Sequence, residues 1–524
     1  MISDLSIKLA RSVLEASPTA KDEVECAVIL ESLGFGEEFS KRNGYLNTFD
    51  MAREVYEASL YLKASSMHLK EGLTVRTAKA GFKEVFVGGL IYNTTWLVFL
   101  FFILAFGVAP FAARLLPLEV ATMLSLSVII SFVVTGGLQQ FAAWKVIFYT
   151  LHRNYPLAKY VFKSTMVLGF FLLAVSGVVV SALTLWFQIL PVNLALELIL
   201  STLLIGAFRL WMIPILALRC YKGMLVVVAA MVVALSIGYG FFSFSYQQIR
   251  VVQTITVLTG VATAFLVSRR LMDFSRFISE VEDVPPFYSR PVPPTKVKPP
   301  RLSVMMFRGW DNLVYGSFYF VFLFADRILA ALAGGNLQYN AQYHMGADMA
   351  LLLIIVASLV RFSRIYPFAR LAEMESRRLH LHSSGKMSRF LSAYYARMML
   401  LTGAITAVAA LILLVFSPQI IALVGGSAFS VDVFRIAVLA NIFFSLFATN
   451  AVYTMTMRRL GVPSLILVIG TILHLGLSSI LLAGLSTIGI AYSYLASSVA
   501  LFVLSTVYVI RLNKRGAHVL YSAF

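Results

Sequence analysis

The feature that most constrains this chain is a series of apolar blocks, most of them twenty or more residues long, that recur between residues 88 and 511. A helix needs about twenty apolar residues to cross the hydrocarbon core of a bilayer. We therefore interpret the blocks as transmembrane helices. The predicted spans lie near 88–113, 118–142, 161–187, 192–218, 223–244, 250–269, 304–332, 345–368, 390–416, 430–456, 462–484 and 487–511.

The composition excludes a soluble globule and disfavours nucleic-acid binding. Only 13% of the residues are charged, whereas soluble domains carry roughly 25%. The blocks are continuously apolar and lack the alternation over about ten residues that is typical of membrane β-strands. The net charge of +18 is concentrated between the blocks, so we assign it to the positive-inside bias of membrane proteins.

The distribution of positive charge predicts the orientation of the chain. Lys and Arg are frequent in every second loop, with Arg361, Arg458 and Arg459 as examples. The remaining loops carry only Arg114 and Arg250. Since cationic loops stay in the cytoplasm, we expect a multi-pass protein of the plasma (inner) membrane with both termini cytoplasmic.

The chain divides into five predicted segments. The first residues mix acids and bases with apolar residues at helical spacing, which indicates a small helical domain for either assembly or docking. Seven prolines from Pro285 to Pro300 favour an extended linker. The predicted organisation is a cytoplasmic helical domain over 1–85, an N-lobe of six spans over 86–270, a proline-rich cytoplasmic linker over 271–303, a C-lobe of six spans over 304–511 and a cytoplasmic tail over 512–524.

The second half resembles the multidrug/oligosaccharidyl-lipid/polysaccharide (MOP) flippase superfamily. Span seven, with its aromatic run and the pair Asp326-Arg327, is similar to the seventh span of these proteins, and the final hairpin resembles that of polysaccharide flippases. Span eight resembles that of the Pel-type exopolysaccharide exporters. The resemblance covers residues 300–511 in detail and 86–270 by layout only. The loop after span two, "KVIFYTLHRNYPLAKY", lacks the glycines and acid of the major facilitators.

This resemblance implies an all-α integral membrane protein with twelve transmembrane helices in two six-helix lobes. It implies a transporter that exports a polysaccharide or lipid-linked oligosaccharide by alternating access, without a bound cofactor. The expected partners are membrane lipids, the sugar substrate, a cytoplasmic glycosyltransferase and other membrane subunits, with no nucleic acid. A membrane-embedded enzyme or a scaffold subunit of a polysaccharide synthesis complex remains the alternative, although no nucleotide, metal or catalytic motif is present.

Polar residues within spans are costly and commonly face a cavity or one another. Arg209, deep in the first half, would suit an anionic substrate such as a lipid pyrophosphate or an acidic sugar. We expect the adjacent Asp326 and Arg327 to point apart and to have separate partners. The candidate cavity residues are Gln139, Gln140, Arg209, Tyr315, Tyr319, Asp326, Arg327, Asp348 and Asn450.

Several of these residues have a structural alternative. Gln139, Gln140 and Asn450 are also suited to hydrogen bonds between helices. Arg308 and Asp311, three residues apart at the inner end of span seven, are a candidate gating pair on one helix face. The alternative for Arg308 is a side chain that extends to the membrane surface.

Overall fold

The computed structural model describes residues 4–16, 22–60, 62, 116–151, 154–218, 220–241, 245–273, 300–334, 337–361 and 384–514. The chain forms two compact units, Met1–Lys83 and Glu84–Phe524. The predicted first span and the prolines from 285 to 299 lie outside the described residues.

The first unit is built from four helices. They are α1 (Asp4–Ala16), α2 (Glu23–Ser32), α3 (Glu37–Arg42) and α4 (48–60). The Asp22 side chain caps α2 by accepting from the Glu25 amide at 2.8 Å. Apolar residues three and four apart face inward and form one core, with Leu9, Leu30 and Val55 among its members. The unit therefore has a hydrophobic core of its own.

The described part of the second unit is entirely helical, and eleven of its segments are long and apolar enough to cross a membrane. The chain is thus a multi-pass membrane protein. Its helices are α5 (Leu118–Leu151), α6 (Tyr155–Trp186), α7 (Val192–Ala217), α8 (Tyr221–Phe241), α9 (Tyr246–Leu271), α10 (Leu302–Phe307), α11 (Trp310–Ala333), α12 (Ala341–Ala350), α13 (352–361), α14 (Ser384–Val415), α15 (Ser417–Leu423), α16 (Ala428–Thr456), α17 (Gly461–Leu485) and α18 (Ile488–Lys514).

The helices pack as an N-lobe, α5–α9, and a C-lobe, α10–α18. In the N-lobe α7 contacts α5, α6 and α9, and in the C-lobe α16 contacts α12, α14 and α18. The most apolar windows of α7 and α16 are 67% buried, against 28% for α6 and 22% for α14. Side chains such as Phe171 and Leu400 are exposed on these outer helices. The outer helices therefore present the apolar faces that lipid requires, while α7 and α16 form the centres of the lobes.

The lobes meet along α5 and α11, and glycines allow the two backbones to touch. A Cβ atom added to Gly316 would lie 2.4 Å from the carbonyl oxygen of Gly136. One added to Gly137 would lie 2.3 Å from the carbonyl oxygen of Leu313. Small residues permit this close helix packing within a bilayer, where apolar contact alone does not drive association.

Three differences between the helices and the predicted spans stand out. Helix α5 continues nine residues beyond the predicted end at 142, because no proline or glycine interrupts it and Val146 remains buried. The predicted eighth span is divided at Leu351 into α12 and α13. The predicted seventh span is divided at Gly309, which precedes α11.

Candidate functional site

Arg209 joins the two lobes where α7 and α5 face α11. It lies on α7 and is 9% exposed. Its Nε donates to Thr135 Oγ1 at 2.7 Å and its Nη2 donates to Gln139 Oε1 at 3.0 Å, both on α5. The guanidinium carbon lies 3.9 Å from the centre of the Phe132 ring and 4.7 Å from that of Phe320. Because Phe320 belongs to α11, this N-lobe cation contacts the C-lobe directly.

The named contacts of Arg209 stabilise its guanidinium without neutralising the positive charge. Both hydrogen-bond partners named above are neutral, a hydroxyl and an amide. The two aromatic faces attract the guanidinium through their quadrupoles. A group that binds here would meet a positive charge framed by aromatic rings. Of the predicted cavity residues, the structure brings Arg209 and Gln139 together.

A second polar cluster lies within the C-lobe and is centred on Arg327. Its Nη1 donates to Asp326 Oδ1 at 2.8 Å and its Nε donates to Asp348 Oδ1 at 2.8 Å. Nη1 also donates to the Leu323 carbonyl at 2.7 Å, and the Tyr343 hydroxyl donates to Asp326 Oδ2 at 3.3 Å. Asp326 and Arg327 do have separate partners, Tyr343 and Asp348, but the expectation that they point apart is wrong, because the long Arg327 side chain folds back and also reaches Asp326.

The members of this cluster differ in their exposure to solvent. The side chains of Asp326 and Arg327 are 2% and 3% exposed, whereas that of Asp348 is 49% exposed. His344 Nδ1 lies 3.9 Å from Asp348 Oδ2, and the His344 ring is 4.3 Å from that of Tyr339. Asp348 is thus the member of the cluster that a solute can approach.

The loop between α11 and α12 ties this part of the C-lobe to the N-lobe. The backbone amide of Tyr339 donates to Thr122 Oγ1 on α5 at 2.9 Å. Burial raises the pKa of the Tyr339 phenol above its usual value, so the ring stays neutral near neutral pH. Tyr339 was not among the predicted site residues, and no local motif marks it, since its role depends on a residue more than 200 positions away.

The predicted gating pair does not share a helix. Arg308 follows the end of α10 and Asp311 lies in the first turn of α11, with Gly309 between them. Asp311 Oδ1 accepts from the backbone amide of Asn312 at 3.0 Å. No ion pair joins Arg308 to Asp311 in the described part of the chain. The predicted pairing along one helix is therefore wrong, because the helix breaks at Gly309, and a gating role for either residue stays a prediction.

Asn450 lies inside the C-lobe and not at the lobe interface. Its Oδ1 accepts from the Tyr395 hydroxyl at 2.8 Å. Its Nδ2 donates to Ser505 Oγ at 2.9 Å and to Thr506 Oγ1 at 3.0 Å. This fully buried amide links α14, α16 and α18. The arrangement agrees with the alternative of hydrogen bonds between helices, and it does not place Asn450 in a cavity.

Gln140 connects the lobes on the side predicted to face the cytoplasm. Its Nε2 lies 3.1 Å from the Met455 sulfur, and thus joins α5 to α16. Tyr315 and Tyr319 lie on consecutive turns of α11 with ring centres 6.1 Å apart. Arg361 lies on α13 and interacts electrostatically with both tyrosines. The predicted span 345–368 includes it, although it was also counted among the loop cations. The apolar run that continues to Val360 is the signal that includes Arg361 in the span.

The N-lobe contains a cleft between α5, α7 and α9 that is open to solvent. Met123, Ser201 and Gln253 line it, and so does Arg250, which forms an ion pair with Glu197. The cleft is mixed in polarity and opens on the side predicted to face outward. Across the described residues, no group of three His, Cys, Asp or Glu side chains is placed to hold a metal ion.

No protein-family model and no curated protein matches the chain. Several solved structures do match it. The eukaryotic MATE transporter AtDTX14 has a TM-score of 0.58 and 11% identity, with 87% of this chain and 99% of that chain covered. An outward-facing multidrug resistance MATE transporter of the MOP superfamily has a TM-score of 0.55 and 13% identity, with coverage of 85% and 98%.

A third similar structure is a MOP superfamily transporter from Pyrococcus furiosus, described by the reverse polarity of its binding pocket. Its TM-score is 0.53 and its identity 15%, with 84% of this chain and 98% of that chain covered. At such low identity the similarity shows the architecture alone. The chain therefore has the two-lobed fold of the MATE transporters of the MOP superfamily.

Proposed function

We propose that this protein is a transporter that moves a polysaccharide or a lipid-linked oligosaccharide out of the cell by alternating access of its two lobes. The fold supports transport, because the solved structures that share it are transporters. The resemblance of span eight to that of the Pel-type exporters, and of the final hairpin to that of polysaccharide flippases, supports the sugar substrate. The proposed location is the plasma (inner) membrane, with both termini cytoplasmic.

The position of Arg209 at the contact between the lobes is the observation that carries this proposal. Aromatic rings stack on sugars, and a guanidinium binds phosphate or carboxylate groups. Phe132, Phe320 and Arg209 offer both kinds of contact at one place. The transporter from Pyrococcus furiosus, whose binding pocket has reverse polarity, shares this fold and supports the idea that the polarity of the pocket varies among such transporters.

Contacts between the lobes at both ends support alternating access. The Tyr339–Thr122 hydrogen bond joins the lobes on the predicted outer side, and Gln140 and Met455 join them on the predicted inner side. In the proposed cycle one of these contacts opens at a time. The close crossing at Gly136 and Gly316 lies between them and is the proposed pivot.

A cytoplasmic glycosyltransferase and other membrane subunits are proposed partners, and the N-terminal unit is the proposed docking module. Their support is the resemblance to the Pel-type exporters. If the chain were instead an enzyme or a scaffold of the synthesis complex, a charge at the lobe contact would be dispensable.

The test is the appearance of polymer outside cells that depend on this protein for export. We expect Arg209→Ala to reduce export by at least about tenfold at normal protein levels, since hydrogen bonds to a charged group contribute about 1.5–3 kcal/mol. Arg270→Ala is the matched control, because Arg270 is exposed at the end of α9 and its loss should leave export unchanged. Normal export with stable Arg209→Ala protein would contradict the proposed site.

A further inference from the structure

Arg361 has two buried guanidinium nitrogens that form no hydrogen bond with the described residues. Its Nε and Nη2 are both inaccessible to solvent and have no hydrogen-bond partner in the described part of the protein. Tyr315 is 6% exposed and Tyr319 is half-buried. The charge of Arg361 acts electrostatically on both phenols. Neither hydroxyl forms a hydrogen bond among the described residues.

The two unused nitrogens lie on the same edge of the guanidinium plane. Nε and Nη2 point their N–H groups in parallel, which is the fork that binds two oxygens of one carboxylate or phosphate. Because neither nitrogen donates to a described residue, both donors of Arg361 are available to one such anionic group. The nearby hydroxyls of Tyr315 and Tyr319 supply further donors for such a group.

None of the described acids of the C-lobe forms an ion pair with Arg361. Asp326 and Asp348 bind Arg327, Asp311 accepts from the amide of Asn312, and Asp432 is exposed. A buried cation is costly unless an anion or a polar cavity compensates it. The compensating anion at Arg361 is therefore expected to come from outside this part of the chain.

We infer that Arg361, Tyr315 and Tyr319 form a binding site for a phosphate or carboxylate group of the transported molecule. The inference deepens the proposed function and rests on it for the statement that the bound group belongs to a substrate. The site itself follows from the free fork, the two phenols and the absence of a paired acid within the described residues.

The site lies where α11 and α13 approach the predicted inner side of the membrane. Tyr315 is in the second turn of α11, which begins on that side, and Arg361 is the last described residue of α13, which runs toward it. Tyr319 contacts Phe320 with ring centres 5.3 Å apart, and Phe320 in turn contacts Arg209. Tyr319 and Tyr315 precede Phe320 by one and five residues on α11, so the proposed anion site lies within about one and a half turns of the aromatic contact of Arg209.

The experiment measures binding to the full-length protein in lipid nanodiscs. The probes are farnesyl phosphate, with farnesol as its uncharged control, and glucuronate, with glucose as its uncharged control. We expect at least one anionic probe to bind while its uncharged control does not. Arg361→Lys keeps the charge but lacks the fork, so it should weaken binding about tenfold. Arg361→Gln should remove the part of the binding that Arg361→Lys weakens.

The response of the two anionic probes identifies the source of the charge. Dependence of farnesyl phosphate binding on Arg361 supports a lipid phosphate, and dependence of glucuronate binding supports an acidic sugar. If neither anion binds in an Arg361-dependent way, the inference is overturned.

Two further variants keep the test decisive. The double variant Tyr315→Phe, Tyr319→Phe retains the volume of both rings and should weaken binding several-fold, even if Arg361→Gln fails to fold. Arg209→Gln should abolish export under the proposed function, and the anion binding that remains in this variant should still be weakened by Arg361→Lys. Unchanged binding in both Arg361→Lys and the tyrosine double variant would refute the site, whereas normal export in Arg209→Gln would refute the proposed function alone.

Discussion

At the scale of single residues, the C-lobe places one arginine between two acids in unequal surroundings. Asp326 is 2% exposed and Asp348 is 49% exposed. Removing one partner of a buried ion pair leaves an uncompensated charge in a low dielectric. An exposed partner contributes less, because water screens its interaction and replaces it when it is lost. The two carboxylates therefore differ in their contribution to folding although each lies 2.8 Å from Arg327.

We predict that Asp326→Asn destabilises the protein far more than Asp348→Asn. The expected loss is about 3–5 kcal/mol for Asp326→Asn and about 1 kcal/mol or less for Asp348→Asn. Unfolding of the purified protein in mixed micelles measures both losses, and each variant serves as the control for the other. Equal losses would show that exposure does not distinguish the two acids.

The sequence identified most of the polar residues of the spans but not their partners. Arg209, Gln139, Asp326, Arg327 and Asp348 were predicted as site residues, and each makes polar contacts within its helix bundle. Which groups meet depends on how the helices rotate and cross, and hydropathy carries no information about that. The folding-back of Arg327 onto its neighbour was missed for this reason.

Hydropathy also fails to show the roles of residues that lie outside an obvious motif. Arg361 was counted among the loop cations although the apolar run extends to Val360. Its side chain belongs to the proposed anion site because it interacts with Tyr315 and Tyr319, which lie on another helix. Conversely, Asn450 looked like a candidate from its position within a span, but its three hydrogen bonds lie inside the C-lobe.

At the scale of elements, α5 and α11 form the junction of the lobes because glycines let their backbones meet. A Cβ on Gly316 would lie 2.4 Å from the Gly136 oxygen, and backbone atoms cannot yield as a flexible side chain can. In contrast, a Cβ on Gly476 of α17 has no neighbour within 4 Å. The same substitution should therefore have opposite effects at the two positions.

We predict that Gly316→Ala lowers stability by about 1–3 kcal/mol, the usual cost of overpacking. Gly476→Ala should be neutral or stabilise the protein by up to about 1 kcal/mol, because alanine favours a helix. Thermal unfolding of the two variants in the same detergent provides the comparison. A Gly316→Ala variant as stable as Gly476→Ala would contradict the close crossing.

The existence of the helices was more predictable than their ends. Each of the eleven described membrane segments overlaps a predicted span, since length and continuous apolarity are properties of the local sequence. The extension of α5 to Leu151 and the break at Gly309 were not predicted. Both depend on packing against other helices, which a hydropathy pattern does not report.

At the scale of the whole molecule, the chain combines a helical N-terminal unit with a two-lobed membrane unit. The first unit has its own core, in which Leu30 and Met51 are fully buried. Its helices do not carry the long apolar runs of the spans. We therefore expect it to fold without the membrane part.

We predict that a fragment of residues 1–83 is soluble and helical. Leu30→Ala should cost about 2–5 kcal/mol, enough to unfold so small a unit. Val28→Ala, two positions away but 61% exposed, should change stability by no more than about 0.5 kcal/mol. Circular dichroism during urea unfolding measures both. A fragment that is unfolded without substitution would show that the unit depends on the rest of the chain.

Alternating access is the central claim, and distances between the lobes test it most directly. Spin labels at cysteines replacing Phe187 and Gly484 report on the predicted outer side, and labels replacing Lys222 and Arg511 report on the predicted inner side. Cys26 and Cys220 are replaced by serine in the background. Pulsed electron–electron double resonance should resolve two distances between the labels of each pair. The outer pair should be far apart in the state in which the inner pair is close together. A single, unchanged distance for both pairs, under all conditions in which the protein exports its substrate, would contradict the account.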